Sequence, residues 1–422
     1  MLAMGVKVVL ACAVAATLGA CSTPCGSGLA RPDRLCAPIT SITSGPPVAA
    51  PQPPRRTALP SDAAPPAVQV FAVENPDIIA DSGAAERKIR IGLLLPLRSD
   101  VLGKAAEALR AGFMAGYERE RDGFAVNIVE TGDSAQEVLA SYALAVEQND
   151  IVVGPLARAA VGAVAASALV RKPTIALNHP ERHGADAPLP PKLLVIGLSV
   201  EDEARQIAAW AAAEQPGAPA LILAAGQPWQ QRAGAAFTAQ WERSGRSAQG
   251  ITLSTLNGAL SDAELAQLRA RLQGAPGAML FVALDADQVR QLRVALGNAV
   301  PIYGTASLNP GAGRIDAGPE LDGVRLLDLP WQVQRDHPAV MVYPRPLQDG
   351  AHSADMDRLY ALGIDAFRVA REIALHPDST FQLDGVTGQL AVTFGHGAAR
   401  FERTEQGAMF RNGALVTLPG AR

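Results

Sequence analysis

Ile89-Arg90-Ile91-Gly92-Leu93-Leu94-Leu95-Pro96-Leu97 opens a long series in which short apolar runs alternate with helical patterns. A strand that is apolar on both faces has to be covered on both, as happens in a parallel sheet flanked by helices. An amphipathic pattern from about Leu102 to Glu118 follows the first run. Further strand-like runs lie at Phe124–Glu130, Ile151–Val153, Thr174–Leu177, Leu193–Leu198, Ala220–Ala224, Gly250–Ser254, Ala278–Ala283 and Pro301–Gly304. Helical patterns fill the gaps, among them Gln136–Glu147, Glu201–Glu214, Arg232–Ser244, Asp262–Leu272 and Ala286–Leu296. So many units overfill one open sheet, and nothing after Tyr303 supplies what a closed barrel would need. The expected fold is therefore α/β and two-lobed, with parallel sheets flanked by helices.

After Gly304 the pattern loosens into one strand (Val324–Leu329), one long helix (about Asp355–Leu375) and closing strands at Leu390–Phe394, Ala399–Glu402 and Ala414–Leu418. This order predicts a late return to the first lobe. The expected division is about 88–199 and 308–376 for the first lobe, and about 200–307 and 377–422 for the second.

What precedes this body reads as an address and a tether. Lys7 is followed by an apolar stretch, Val8 to Gly19, of about a dozen residues, the length of a signal-peptide core and too short to span a membrane. It ends in Leu18-Gly19-Ala20-Cys21, small residues before a cysteine, so residues 1–20 are expected to be removed and Cys21 to carry the anchoring acyl chains. Ordinary secretory cleavage near Ala20 is the alternative. Ser22 is not the aspartate that typically retains lipoproteins of Gram-negative bacteria in the inner membrane, so the outer membrane is expected. Residues 21–87 are dominated by a Pro- and Ala-rich stretch, expected to be a disordered tether. Its roughly 50 residues would separate their ends by about 40 Å as a random coil.

The four cysteines (Cys12, Cys21, Cys25, Cys36) all precede the body, which excludes a thiol nucleophile or zinc-thiolate site there. Whether Cys25 and Cys36 pair is left open by the sequence. The formal net charge is −4, and −5 once Lys7 leaves with the leader, so the basic balance that nucleic-acid binding needs is missing.

Catalytic signatures are absent. No Ser lies three residues before a Lys, and Gly-x-Ser-x-Gly does not occur. His179 and His183 are four apart, but Pro180 and Gly184 make their segment a loop. Gly103-Lys104 opens no phosphate-binding motif, and Gly311-Ala312-Gly313 lacks a third glycine. No enzyme, metal or cofactor is expected.

What remains are loops at the carboxyl ends of the strands, where α/β proteins place ligands. They offer Arg98 and Ser99, Leu156, Asn178, Trp229, Tyr303 and Ser307 as candidates for a cleft or a partner surface. Trp331, after Pro330 at a strand end, either covers the core or anchors a partner, and core cover is favoured. Leu156-Ala157-Arg158 makes a donor-poor loop, unlike a site built to grip an amino-acid carboxylate.

Pro301-Ile302-Tyr303-Gly304-Thr305-Ala306-Ser307, with Leu321-Asp322-Gly323-Val324 and Asp328-Leu329-Pro330-Trp331, resembles the LppC/LpoA-type lipoproteins, the penicillin-binding protein activators. Gly92-Leu93-Leu94-Leu95-Pro96-Leu97, Val153-Gly154-Pro155-Leu156 and Arg358-Leu359-Tyr360-Ala361-Leu362-Gly363-Ile364-Asp365-Ala366 agree. The resemblance runs from about residue 88 to about 420. It implies a type I periplasmic-binding-protein fold and a non-enzymatic outer-membrane lipoprotein that docks on a class A penicillin-binding protein and stimulates peptidoglycan synthesis. A Pro-rich tether stands where longer members carry a helical-repeat domain. The alternative reading is a lipid-anchored receptor for a small solute such as an amino acid or peptide.

Overall fold

The computed structural model describes residues 87–181, 188–311, 318–346 and 353–420. Cys21, Cys25, Cys36, His183 and the Pro-rich segment lie outside them. The elements run β1 (Ile89–Leu95), α1 (Gly103–Arg119), β2 (Phe124–Glu130), α2 (Ala135–Gln148), β3 (Ile151–Val153), α3 (Arg158–Ala165), β4 (Thr174–Ala176) and β5 (Leu193–Val195). Next come α4 (Val200–Glu214), β6 (Ala220–Ala224), α5 (Pro228–Arg243), β7 (Ala248–Thr252), β8 (Thr255–Leu256), β9 (Ala259–Leu260) and α6 (Asp262–Gln273). Then follow β10 (Met279–Ala283), α7 (Ala286–Leu296), β11 (Ile302–Gly304), β12 (Arg325–Asp328), α8 (Pro330–Val333), α9 (Pro338–Met341) and α10 (Ala354–Leu375). The chain closes with β13 (Ser379–Asp384), β14 (Gln389–Phe394), β15 (Arg400–Thr404), β16 (Gln406–Arg411) and β17 (Ala414–Thr417).

The first sheet has the order β2-β1-β3-β4-β5 and is parallel throughout. Because side chains alternate along a strand, β1 sends Ile91, Leu93 and Leu95 to one core with α1 and α10, and Leu94 to another with Val138 and Tyr142 of α2. The second sheet, β17-β16-β12-β11-β10-β6-β7, follows the same rule. Leu221, Leu280, Ile302 and Leu326 face α7, while Ile222, Phe281, Tyr303 and Leu327 face α4 and α5. The expected α/β architecture with helices on both faces is therefore what the chain adopts.

The lobe boundaries differ from the expectation. β12 was expected with the first lobe but pairs parallel with β11 and antiparallel with β16, inside the second sheet. Residues from 377 onward were expected with the second lobe, yet β13-β14-β15 form a separate antiparallel sheet. Leu390, Val392 and Phe394 of that sheet, with Phe381, Leu383 and Phe401, pack into the core of the first. Only β16 and β17 close onto the second sheet. Local periodicity marked β12, β14, β15 and β17 as strands but passed over β13 and β16, and which sheet a strand joins is decided by burial partners far away in sequence. The hairpin β8–β9 was not foreseen, although Asn257-Gly258 at its tip, with φ of 52° and 84°, is the residue pair such a turn demands.

The chain thus passes between the two halves at three places: 196–199 between β5 and α4, 328–330 between β12 and α8, and 404–406 between β15 and β16. Ser199 starts α4 by accepting from Asp202 N at 3.1 Å, so the first crossover turns straight into a capped helix.

Candidate functional site

The three crossovers are tied by a buried set of charges that sequence reading did not single out. Asp328, at the end of β12, is fully buried and accepts from Arg358 of α10 through Nε (3.1 Å) and Nη2 (2.8 Å). Asn309 Nδ2 and Leu329 N add bonds of 2.7 and 2.8 Å to the same carboxylate. Arg358 Nη2 also donates to the Ala306 and Asn309 carbonyls, so one guanidinium joins α10, the 3-10 turn at Ala306–Leu308 and β12. Burial works against its charge, yet Asp328 holds its pKa above the ordinary value.

Glu203 on α4 accepts from Ala306 N at 2.9 Å, and burial pushes its carboxyl up to about 7. At the third crossover Arg403 donates to Ile196 O (2.8 Å), Gly197 O (3.1 Å) and Thr387 Oγ1 (3.1 Å), lacing the first and third crossovers together. Its neighbour Glu405 is buried, its amide donates to Gln206 Oε1 at 3.1 Å, and its Oε2 has no hydrogen-bond partner. Burial, then the Glu203 charge, raises the Glu405 pKa well above the carboxylate range. The signal for these groups was present as charges inside apolar stripes. Glu203 precedes Ile207 by one turn on the buried face of α4, and Arg358 begins a run of buried residues in α10.

The candidates named from sequence fall into three groups. Leu156 (5% exposed) and Tyr303 (0%) are core residues, which corrects the expectation that they line a cleft or partner surface, and Trp331 (0%) takes the core position favoured for it. Leu156 packs into the first core, and Tyr303 OH donates to Glu214 Oε2 at 2.7 Å with Trp210 edge-on. Trp331 is sandwiched between Tyr360 and Arg345, whose guanidinium lies 3.7 Å from the ring centre, and its amide donates to Val386 O. Ser99, Asn178 and Ser307 turn their polar atoms inward. Ser99 Oγ accepts from Leu102 N at 2.8 Å, Asn178 Oδ1 from His179 N at 2.9 Å, and Ser307 Oγ donates to Leu284 O at 2.9 Å. Arg98 and Trp229 remain outside the core: Arg98 is exposed and paired with Glu137, and Trp229 is half-buried at the start of α5. His179, beside Asp202 at 3.6 Å, has its pKa lowered because burial outweighs that carboxylate.

A cavity of about 330 Å³ lies at the C-terminal end of α7, lined by Arg293, Val294, Gly297, Asn298, Pro319 and Glu320. Helix α7 ends where β11 is about to begin, so this cavity sits at the amino ends of the strands, opposite the end at which such sheets bind ligands. Among the described residues no helix is long and apolar enough to cross a membrane.

The family described as "LppC putative lipoprotein" matches residues 84–413. No curated protein gives a match. Among solved structures, one described as a "putative branched-chain amino acid ABC transporter" from Chromobacterium violaceum is 35% identical with a TM-score of 0.63, covering 76% of this chain and all of that one. The LpoA C-domain of Haemophilus influenzae, described as a regulator of PBP1A, is 22% identical with a TM-score of 0.62 over 78% of this chain and 99% of that one. Full-length LpoA from the same organism has a TM-score of 0.64 at 22% identity, but the match covers only 59% of its length.

Proposed function

The chain belongs to the LppC lipoprotein family, and from that premise we propose that it is an outer-membrane lipoprotein that binds and activates a class A penicillin-binding protein without doing chemistry itself. The observation that carries this reading is the family match across 84–413, which takes in the whole described body except its last few residues. The likeness of that body to the C-domain of LpoA, itself a regulator of PBP1A, supports it. The lipid on Cys21 would hold the chain at the membrane, and the Pro-rich segment would let the body reach a synthase some distance away. Activation then means tighter binding to the active conformation of the synthase than to the inactive one.

The 35% identity to a structure described as a branched-chain amino acid transporter favours a second reading, a lipid-anchored solute receptor. Against it stand the loops at the strand ends. The Ser307 hydroxyl donates its proton to Leu284 O, and the Leu156 loop is poor in donors with Leu156 itself packed into the core, so both offer little to a carboxylate. Two assays on the full lipoprotein separate the readings. Saturable binding to a purified class A synthase supports the first. A rise in melting temperature with leucine, isoleucine or valine, and no synthase binding, supports the second, because a ligand bound only by the folded state stabilises it.

A further inference from the structure

The third crossover contains a buried acid with one oxygen that no donor reaches. Glu405 is 3% exposed, sits between β15 and β16, and its Oε2 meets no donor. Glu203 and Gln206 are three apart on one face of α4, and Gln206 receives the Glu405 amide, so the Glu203 and Glu405 carboxyls are turned toward the same interior. Five charged groups meet around this junction: carboxyls from Glu203, Asp328 and Glu405, and guanidiniums from Arg358 and Arg403. Three acids against two bases are electrically balanced when one acid keeps its proton. Asp328 is bound by two donors from Arg358 and one each from Asn309 and Leu329, and Glu203 receives Ala306 N, whereas Glu405 Oε2 receives nothing. Leaving an ionised, unpaired oxygen inside a protein is costly enough that the group neutralises instead.

We propose that Glu405 is held as an uncharged acid in the joint between the two halves of the body, and that its ionisation loosens that joint. The result is a proton-dependent latch on the relative placement of the two lobes. It concerns the joint of this chain alone and holds whichever partner the body engages. The other titratable groups that face the junction act differently. Asp202 is paired with Arg205 and lies by His179, Asp355 is exposed and bound by Arg358, and Asp365 is saturated by Val386 N, Thr387 N, Thr387 Oγ1 and Arg368. His179 titrates with the opposite sign, since protonation charges it.

The test is amide hydrogen exchange on the full chain from about pH 5 to about pH 9, corrected for the intrinsic rate, and read at 196–199, 328–330 and 404–406. Between the ordinary carboxylate range, which Glu405 regains when the joint opens, and its raised value in the closed joint, the closed state holds one proton more than the open one. Glu405 therefore lowers protection of the crossovers by about tenfold per pH unit across that window, and no further once it is ionised in the closed joint. In Glu405→Gln, which is permanently neutral, only the shallower slope left by Glu203 remains, and in the Glu203→Gln, Glu405→Gln double variant protection stays flat, while Glu203→Gln alone keeps the part of the fall that Glu405 supplies. The same profile in wild type and Glu405→Gln overturns the proposal. Should Glu405→Gln fail to fold, carbon-13 spectra of glutamate-labelled wild type decide: an acid signal assigned to Glu405 at neutral pH supports the latch, and a carboxylate signal refutes it.

Discussion

Arg358 grips Asp328 with two prongs, Nη2 to Oδ2 at 2.8 Å and Nε to Oδ1 at 3.1 Å, although the two residues lie 30 positions apart and belong to elements on opposite sides of a crossover. Such a pair contributes little when both partners are replaced together, but removing one leaves the other buried and uncompensated. Asp328→Ala is therefore expected to cost about 3–5 kcal/mol of folding stability. Urea unfolding measures it, and a loss under about 1 kcal/mol would mean that Arg358 finds water or another acid.

Gly112 and Gly363 let α1 and α10 touch backbone to backbone. A Cβ on Gly112 would stand 1.8 Å from Tyr360 O, and one on Gly363 would stand 2.1 Å from Leu109 O. Gly112→Ala forces the helices apart. The overpacking cost of about 1–3 kcal/mol, at its upper end where backbone must move, exceeds the roughly 1 kcal/mol gained in helix propensity. Gly116→Ala, where the nearest atoms are at 3.2 Å, is expected to be clearly milder. Thermal unfolding of the two variants ranks them.

Tyr303→Phe tests whether that residue is core. Losing the bond to Glu214 is expected to cost about 1 kcal/mol while leaving synthase binding unchanged. Arg98→Ala, at an exposed ion pair, is expected to change stability by no more than about 0.5 kcal/mol. Denaturation paired with a binding assay checks both.

Glu203 sets a pH dependence of stability. Its folded pKa of about 7 lies above the ordinary carboxyl value of 4.5, so between these values the folded chain binds more protons than the unfolded one. Stability from this group is then fully present below about pH 4.5 and is lost as the pH rises through about 7. Glu203→Gln is expected to flatten the decline in melting temperature over that window. His179, with a lowered pKa, slopes the other way as the pH falls through its folded value, and His179→Gln removes that arm.

The parts of the fold that local pattern controls were legible. The run at Ile91 to Leu95 reads as a strand covered on both faces, and Leu362, Ala366 and Val369 with Leu359 mark the buried face of α10. Trp331 as core cover was legible too, because a large ring after a strand end and a proline has little else to do. The sheet that β12 and β13 to β15 join was not, since Arg325-Leu326-Leu327-Asp328 would fit either sheet until Tyr303 and Met409 are known to flank it. The charges at the crossovers escaped for the same reason. Glu203 and Arg358 stand out as charges inside apolar stripes of their own helices, but only long-range contact joins them with Glu405 into one cluster.

The most direct test of the account adds the purified lipoprotein to a class A penicillin-binding protein of the same bacterium and follows glycan polymerisation and peptide crosslinking from lipid-linked precursor. The account predicts that at least one rate rises and saturates with lipoprotein concentration, and that heat-unfolded lipoprotein has no effect. Unchanged rates at concentrations that saturate binding, or no binding at all, would contradict it.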